Sequence, residues 1–205
     1  MEKEKPRDDE GGWHESAEQL LSKYSDEASI REKLHRAAYY SQKKMFKMLK
    51  LPVIVLSALS GSIALLSKSY PGIEGGVITG TAGLSILVSI ISAVDTFLSP
   101  GNQMSKHEIA KHSWVDLQNL IGHELGLKRS LRVPMEDFLQ NIKVRRDRLF
   151  EISPVCSKIL IEQTKARIKK HAEPAFQIPV YLNGFSGTKI YKEEEWSENS
   201  VEHSP

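Results

Sequence analysis

The chain has 205 residues, within the ~100–200 residue span of one domain, which argues against separate cofactor and substrate lobes. Its 28 Lys+Arg against 26 Asp+Glu leave a formal net charge of +2, too balanced for a protein that coats nucleic acid along its length, so no nucleic-acid partner is expected. Cys156 is the only cysteine, which excludes an internal disulfide, a cysteine-rich zinc site and a Cys-x-x-Cys redox motif, and a mean hydropathy of −0.34 conceals two apolar segments between charged flanks.

Residues 1–28 begin with Glu2, Glu4, Asp8, Asp9 and Glu10 around one proline and two glycines, which predicts an acidic, loosely ordered tail. Within it Trp13, Leu20, Leu21 and Tyr24 leave two readings open: a short helix docked on a bundle, or a surface contact. The domain proper is expected over 29–170. Ile30, Leu34, Ala37, Ala38, Met45 and Met48 recur at helical spacing, with Arg31, Lys33, Lys43, Lys44 and Lys47 largely on other faces, so a basic amphipathic helix leads into the first apolar segment. Lys43, Lys44, Lys47 and Lys50 then form a membrane-surface cluster, either holding anionic headgroups or serving as an ordinary positive-inside flank.

Two transmembrane helices are expected, at 51–69 and 75–98. Leu51–Ser67 carries no charge and as a helix covers roughly 25 Å of hydrocarbon. Gly75–Val94 is also uncharged and continues through Asp95 to Leu98, where Ser99-Pro100-Gly101 stops it. The short turn-rich connection from Lys68 to Glu74 predicts a tight antiparallel hairpin. Lys43, Lys44, Lys47 and Lys50 before it, with Lys106 and Lys111 after it, outnumber Lys68 in the connection, which places both termini in the cytoplasm. No secretory signal peptide is visible, so the first span is expected to direct its own insertion.

Beyond the hairpin, Ala110, Trp114, Leu117, Ile121 and Leu125 form an apolar stripe ending near Gly126 and Lys128-Arg129. Val133-Pro134 opens a further helix with Glu136 and Asp137 in its first turn and Met135, Phe138, Ile142 and Leu149 facing inward. Ser153 is expected to cap, and Pro154 to start, a last helix running to Lys169-Lys170. Residues 171–205 read as an extended segment, in which Phe176, Ile178, Val180 and Tyr181 are candidates for packing, followed by a disordered acidic tail.

Catalytic chemistry finds little footing. His107 and His112 lie five apart, a poor spacing for a shared helical face, and His123-Glu124 lacks a second histidine four residues on, so no metal site is expected. Phosphate-binding, nucleophile-elbow and dinucleotide motifs are absent, and Cys156 reads as a structural thiol, so neither catalytic residues nor a cofactor are assigned. Inside the second span, Thr81, Ser85, Ser89, Ser92 and Thr96 follow at intervals of three or four and share one face. They line either a water-filled pore in an oligomer or a close helix contact. The small residues Ser57, Gly61 and Ala64 in the first span and Gly76, Gly80 and Gly83 in the second suit such a contact. Asp95 either meets water, pairs with Lys106, or forms a charged ring at a pore mouth.

The segments AAYYSQKKMFKMLKLP, SKHEIAKHSWVDLQNLIGHEL and VPMEDFLQNIKVRRDRLFEISP, arranged around two adjoining spans, resemble the SLATT families. These are two-transmembrane domains associated with nucleotide-second-messenger conflict systems. The resemblance runs from about Ser29 to Lys170 and rests on Tyr39-Tyr40, the histidines with Trp114, and Asp147 to Ser153-Pro154. It implies a membrane effector that oligomerises into pores, coupled through cytoplasmic helices to a sensor, with no catalytic residues. The expected fold is therefore all-α: an integral membrane hairpin continuous with a cytoplasmic amphipathic helical bundle. The lipid bilayer, further copies of the chain and a cytoplasmic protein sensor or scaffold are its expected partners. The alternative is a non-catalytic membrane anchor binding a protein layer, and a third reading is an interfacial lipid-binding protein.

Overall fold

The computed structural model describes residues 12–67, 72 and 74–171, and every regular element among them is helical. In order these are α1 (Glu15–Ser67), α2 (Glu74–Leu98), α3 (Pro100–Gly126), a short 3-10 turn (Arg129–Leu131), α4 (Met135–Ile152) and α5 (Lys158–His171). The expected acidic start at 1–11, most of the hairpin connection and the tail at 172–205 lie outside the described residues.

A single 53-residue helix, α1 is about 80 Å long at 1.5 Å per residue. No glycine interrupts it before Gly61, and Glu15 and Glu18 in its first turn oppose the positive end of the helix dipole. Pro52 lies inside it, so the Met48 carbonyl loses the N–H it would otherwise accept, yet the helix continues.

The start of α1 corrects the expected boundary at residue 29. Helix begins at Glu15, and Trp13, Ala17, Leu21 and Ala28 are buried. These four recur at intervals of four, four and seven, a helical stripe that the surrounding acids conceal. Those acids are themselves engaged. Glu18 accepts hydrogen bonds from Arg129 at 2.8 and 2.9 Å and also pairs with Arg132, while Glu27 accepts from Arg146 at 2.7 and 3.0 Å. The Trp13 indole N–H donates to the Val133 carbonyl at 2.8 Å.

After the hairpin, α2 passes almost directly into α3. Only Ser99 departs, in the left-handed region at φ 39°, and its N–H still bonds the Asp95 carbonyl at 2.8 Å while its own carbonyl accepts from Gln103 at 3.1 Å. Pro100 fits the first position of α3, where no intrahelical N–H is needed. Gly101 permits close approach of α1: a Cβ there would lie 3.3 Å from the Phe46 ring.

The α3 stripe of Ala110, Trp114, Leu117 and Ile121 is buried against Trp13, Leu21 and Ala28 and against Phe138, Ile142 and Leu149 of α4, the inward face expected for that helix. Arg31 lies 5.1 Å from the Trp114 ring centre and 4.0 Å from that of Phe150, so its charge is held on aromatic faces at the α1–α3–α4 junction. The last helix starts four residues later than expected. Ser153 is held extended before Pro154, and its hydroxyl accepts the Trp114 indole N–H at 2.9 Å instead of capping a helix. Ser157 provides the N-terminal contacts of α5, its Oγ accepting from the Leu160 N–H at 3.4 Å and its carbonyl from Ile161 at 3.1 Å. Ile168 of α5 then covers Ile30 and Leu34 on a second side of α1.

Replacing Trp13 by alanine should destabilise the full-length protein in detergent by about 3–5 kcal/mol, the range for losing a buried large aromatic. Urea unfolding followed by near-ultraviolet circular dichroism measures this; a change under about 0.5 kcal/mol, usual for surface sites, would show that residues before α1 do not support the fold.

Candidate functional site

Two helices, within Glu15–Leu65 and Gly75–Gly126, are long and apolar enough to cross a membrane, and none of their most apolar stretch is buried inside the chain. Leu51, Ile54, Val55, Leu59 and Leu65 of α1 are exposed, as are Ile78, Ile86, Leu87, Ile90, Val94 and Phe97 of α2. An uncovered apolar surface on this scale is not a stable arrangement in water.

Four hydroxyls of the stripe are satisfied within their own helix. Thr81 donates to the Val77 carbonyl at 2.9 Å, Ser85 to Thr81 at 2.9 Å, Ser89 to Ser85 at 2.8 Å and Thr96 to Ser92 at 2.9 Å. Such back-bonding places each hydroxyl proton on its own helix and leaves oxygen lone pairs outward, a surface compatible with lipid, with another helix or with water. Ser92 lies on the same face and is half-buried.

The small residues do not draw α1 and α2 together at their own positions. At Gly61, Gly76, Gly80 and Gly83 an added Cβ would meet nothing within 4 Å, and Ser57 and Ala64 are exposed. At these positions the surface is open within the chain.

At the base of the hairpin, Asp95 meets Lys50 at 2.7 Å, a partner outside the three settings expected for it, of which pairing with Lys106 was one. Antiparallel pairing of α1 with the α2–α3 rod brings these residues to one level, whereas Lys106 lies three turns further along the rod. The second carboxylate oxygen of Asp95 is buried without a hydrogen-bond partner. Lys44 and Lys47 are exposed, while Lys43 lies 5.4 Å from the Tyr39 ring centre and Lys50 5.9 Å from that of Phe46. The basic cluster thus has two free-standing exposed ammonium groups and two held near aromatic faces.

Deeper in the bundle lies a group that spacing along the chain did not disclose. His35 of α1 and His107 of α3 face each other with Nδ1 atoms 3.0 Å apart, and the Cys156 sulfur in the α4–α5 connection is 3.7 Å from His35 Nδ1. One ligand atom from each of the three lies within 4.8 Å of the others. Both histidines are buried, and burial, reinforced by the His107 and Arg31 charges, lowers the His35 pKa to about 4. Burial lowers that of His107 as well, and raises that of the Cys156 thiol against the opposing effect of Arg31. Two neutral imidazoles and a protonated thiol result. A cavity of about 270 Å³ adjoins them, bordered by Ala38, Ser41, Gln42 and Leu160. Gln42 Oε1 is buried without a hydrogen-bond partner.

The local signal for His107 was its place one turn before Ala110 on the inward stripe of α3; for His35 it was adjacency to Leu34 in the α1 stripe. Neither indicated that the fold would bring together two rings 72 positions apart in the chain. Comparison with family models, with curated proteins and with solved structures gives no match.

The neutral His35 generates a pH dependence. Its folded pKa of about 4 lies below the ordinary 6.5, so between these values the unfolded chain binds the extra proton and stability declines as pH falls. From pH 6.5 to roughly pH 5 the loss should be on the order of 2 kcal/mol, with His107 adding in the same direction. Unfolding midpoints across this window should fall in the wild type and decline less in His35→Gln; parallel profiles would contradict the neutral buried state.

Proposed function

We propose that the chain is an integral membrane effector whose α1–α2 hairpin crosses a bilayer and assembles with further copies into a pore. The observation that carries this reading is the apolar outer surface of both helices, exposed apart from the half-buried face where they meet and continuous with a well-buried helical bundle. Lipid supplies the missing cover over most of that surface. α2, with 25 residues and about 38 Å of length, is sufficient for a ~30 Å hydrocarbon core.

Two spans cannot enclose water, so conduction requires several hairpins. The open faces around Gly61, Gly76, Gly80 and Gly83 favour close contacts between copies, and Thr81, Ser85, Ser89, Ser92 and Thr96 provide a polar wall. Lys50 and Asp95 sit as a pair at the cytoplasmic mouth, where lysine reaches the headgroup region along its aliphatic stem. The bundle and both termini occupy the cytoplasmic side by the lysine distribution, available to a protein sensor. The resemblance to SLATT domains points the same way. The anchor reading draws on one observation of its own: four of the five stripe hydroxyls, Thr81, Ser85, Ser89 and Thr96, already donate to carbonyls of their own helix.

Ion flux through liposomes containing the full-length protein tests the proposal. Flux should rise more steeply than linearly with protein density and show a size cut-off with graded dyes. Ser85→Leu combined with Ser89→Leu should abolish it while insertion persists. A tight membrane with verified insertion across all densities would favour the anchor, and unchanged flux in the double variant would remove the stripe from the pore wall.

A further inference from the structure

We propose that His35, His107 and Cys156 form a zinc-binding site that joins α1, α3 and the α4–α5 connection, with one coordination position open toward the adjoining cavity. This inference goes beyond the membrane reading and stands on the folded bundle, whatever the hairpin does.

Geometry is its foundation. Tetrahedral zinc with bonds of about 2.0–2.1 Å to nitrogen and 2.3 Å to sulfur separates two nitrogen ligands by about 3.3 Å and a nitrogen–sulfur pair by about 3.5 Å. The Nδ1–Nδ1 distance of 3.0 Å and the sulfur–Nδ1 distance of 3.7 Å lie within a few tenths of an ångström of these values. The three ligand atoms lie within 4.8 Å of one another, so closing the remaining pair to the ~3.5 Å of a nitrogen–sulfur edge takes a side-chain adjustment of up to about 1.3 Å.

Hydrogen bonding alone accounts poorly for this convergence. His35 Nδ1 faces both His107 Nδ1 and the Cys156 sulfur. A neutral imidazole nitrogen has either one lone pair or one proton, so it cannot form two good linear hydrogen bonds with these neighbours. A cation located between the three atoms uses all their lone pairs at once. The mixed nitrogen and sulfur set is borderline-soft and suits zinc, whereas calcium and magnesium require oxygen-rich sites.

Binding proceeds as a balanced proton exchange. The two neutral imidazoles donate lone pairs, the Cys156 S–H bond breaks, its proton leaves to solvent and a zinc–thiolate bond forms. The resulting group carries one net positive charge. Arg31 favours the thiolate electrostatically, and its own charge is shared with Glu27 and the Trp114 and Phe150 faces. The cavity bordered by Ala38, Ser41 and Gln42 leaves space for water as a fourth ligand, with the unpartnered Gln42 Oε1 as an acceptor in the same wall. Zinc would thereby tie a connection that lacks regular structure to the two helices leading to the hairpin, about 22 Å along α1 from Lys50.

The sole cysteine makes the test direct. Full-length protein carrying no histidine tag is purified in detergent, stripped of metal and titrated with zinc and, separately, with cobalt(II) as a spectroscopic probe. One equivalent should bind, cobalt should show thiolate-to-metal charge transfer with tetrahedral d–d absorption, and zinc should slow alkylation of Cys156 by more than tenfold. Cys156→Ser should eliminate the charge-transfer band. His35→Gln and His107→Gln should each weaken binding at least roughly tenfold, because losing a ligand exceeds the 10–100-fold effect of losing a supporting contact. His123→Gln, at an exposed position on α3, should leave all readouts unchanged. Circular dichroism verifies the fold of each variant. Cobalt binding without a thiolate band, or alkylation unaffected by saturating zinc in the wild type, would overturn the proposal without reliance on any variant.

Discussion

Trp114 occupies the point where α1, α3 and α4 converge, and its environment governs much of the remaining architecture. Its ring is fully buried, Phe150 meets it edge-on at 5.5 Å, and Arg31 covers it from α1. Its indole N–H ends on the Ser153 hydroxyl, at the C-terminal boundary of α4. That bond fastens the end of α4, where Pro154 turns the chain into the connection to α5. Cys156 follows three residues later and is thereby delivered to His35. One buried aromatic thus links the hydrophobic core to the histidine–cysteine group.

Charged groups in this bundle are retained through partners rather than exclusion. Arg146 pairs with Glu27 while lying over the rings of Tyr24 and Phe150 at 4.6 and 4.7 Å, and Arg132 lies 4.8 Å from the Trp13 ring centre beside Glu18. The Glu18 carboxyl is held below the ordinary glutamate range chiefly by its hydrogen bond from Arg129, with Arg132 adding and burial opposing. Guanidinium groups suit this role because they combine hydrogen bonds in plane with aromatic contact across the plane. The pairs join α1 to the 3-10 turn and to α4, so they orient the bundle as well as neutralise charge. Removing one partner leaves a partly buried charge, which is more costly than the pair itself is favourable.

The hairpin obeys a different solvent logic. Along α1 the surroundings change from a mixed polar core near Trp13 and Glu27 to, beyond Lys50, an apolar surface covered only in part, along its face toward α2. Backbone groups there are satisfied within each helix, and the hydroxyls of α2 fold back onto carbonyls four residues earlier. These are the conditions a helix must meet in a hydrocarbon phase. α1 is continuous through both regions and α2 reaches α3 with only the Ser99 irregularity, so bundle and hairpin are built on the same two stiff elements. His35 and His107 sit on those same two elements.

Period and composition determine most of the helical content by themselves. The uncharged runs around Ser57 and Ser85, the inward stripe from Ala110 to Ile121 and the set Phe138, Ile142 and Leu149 depend on local spacing, which a chain carries into any fold. Local reading failed where a distant partner altered a residue's role. The helix from Glu15 was hidden in a stretch read as an acidic tail, because the arginines that neutralise Glu18 and Glu27 lie more than a hundred residues away. Ser153 had the character of a helix cap until Trp114 took its hydroxyl. The convergence of His35, His107 and Cys156 belongs to the tertiary structure alone, since ligand geometry depends on three-dimensional distance and these residues share no motif. Sequence determined which surfaces prefer to leave water; only antiparallel packing of α1 on α3, and the path of the chain after α4, decided which polar atoms meet.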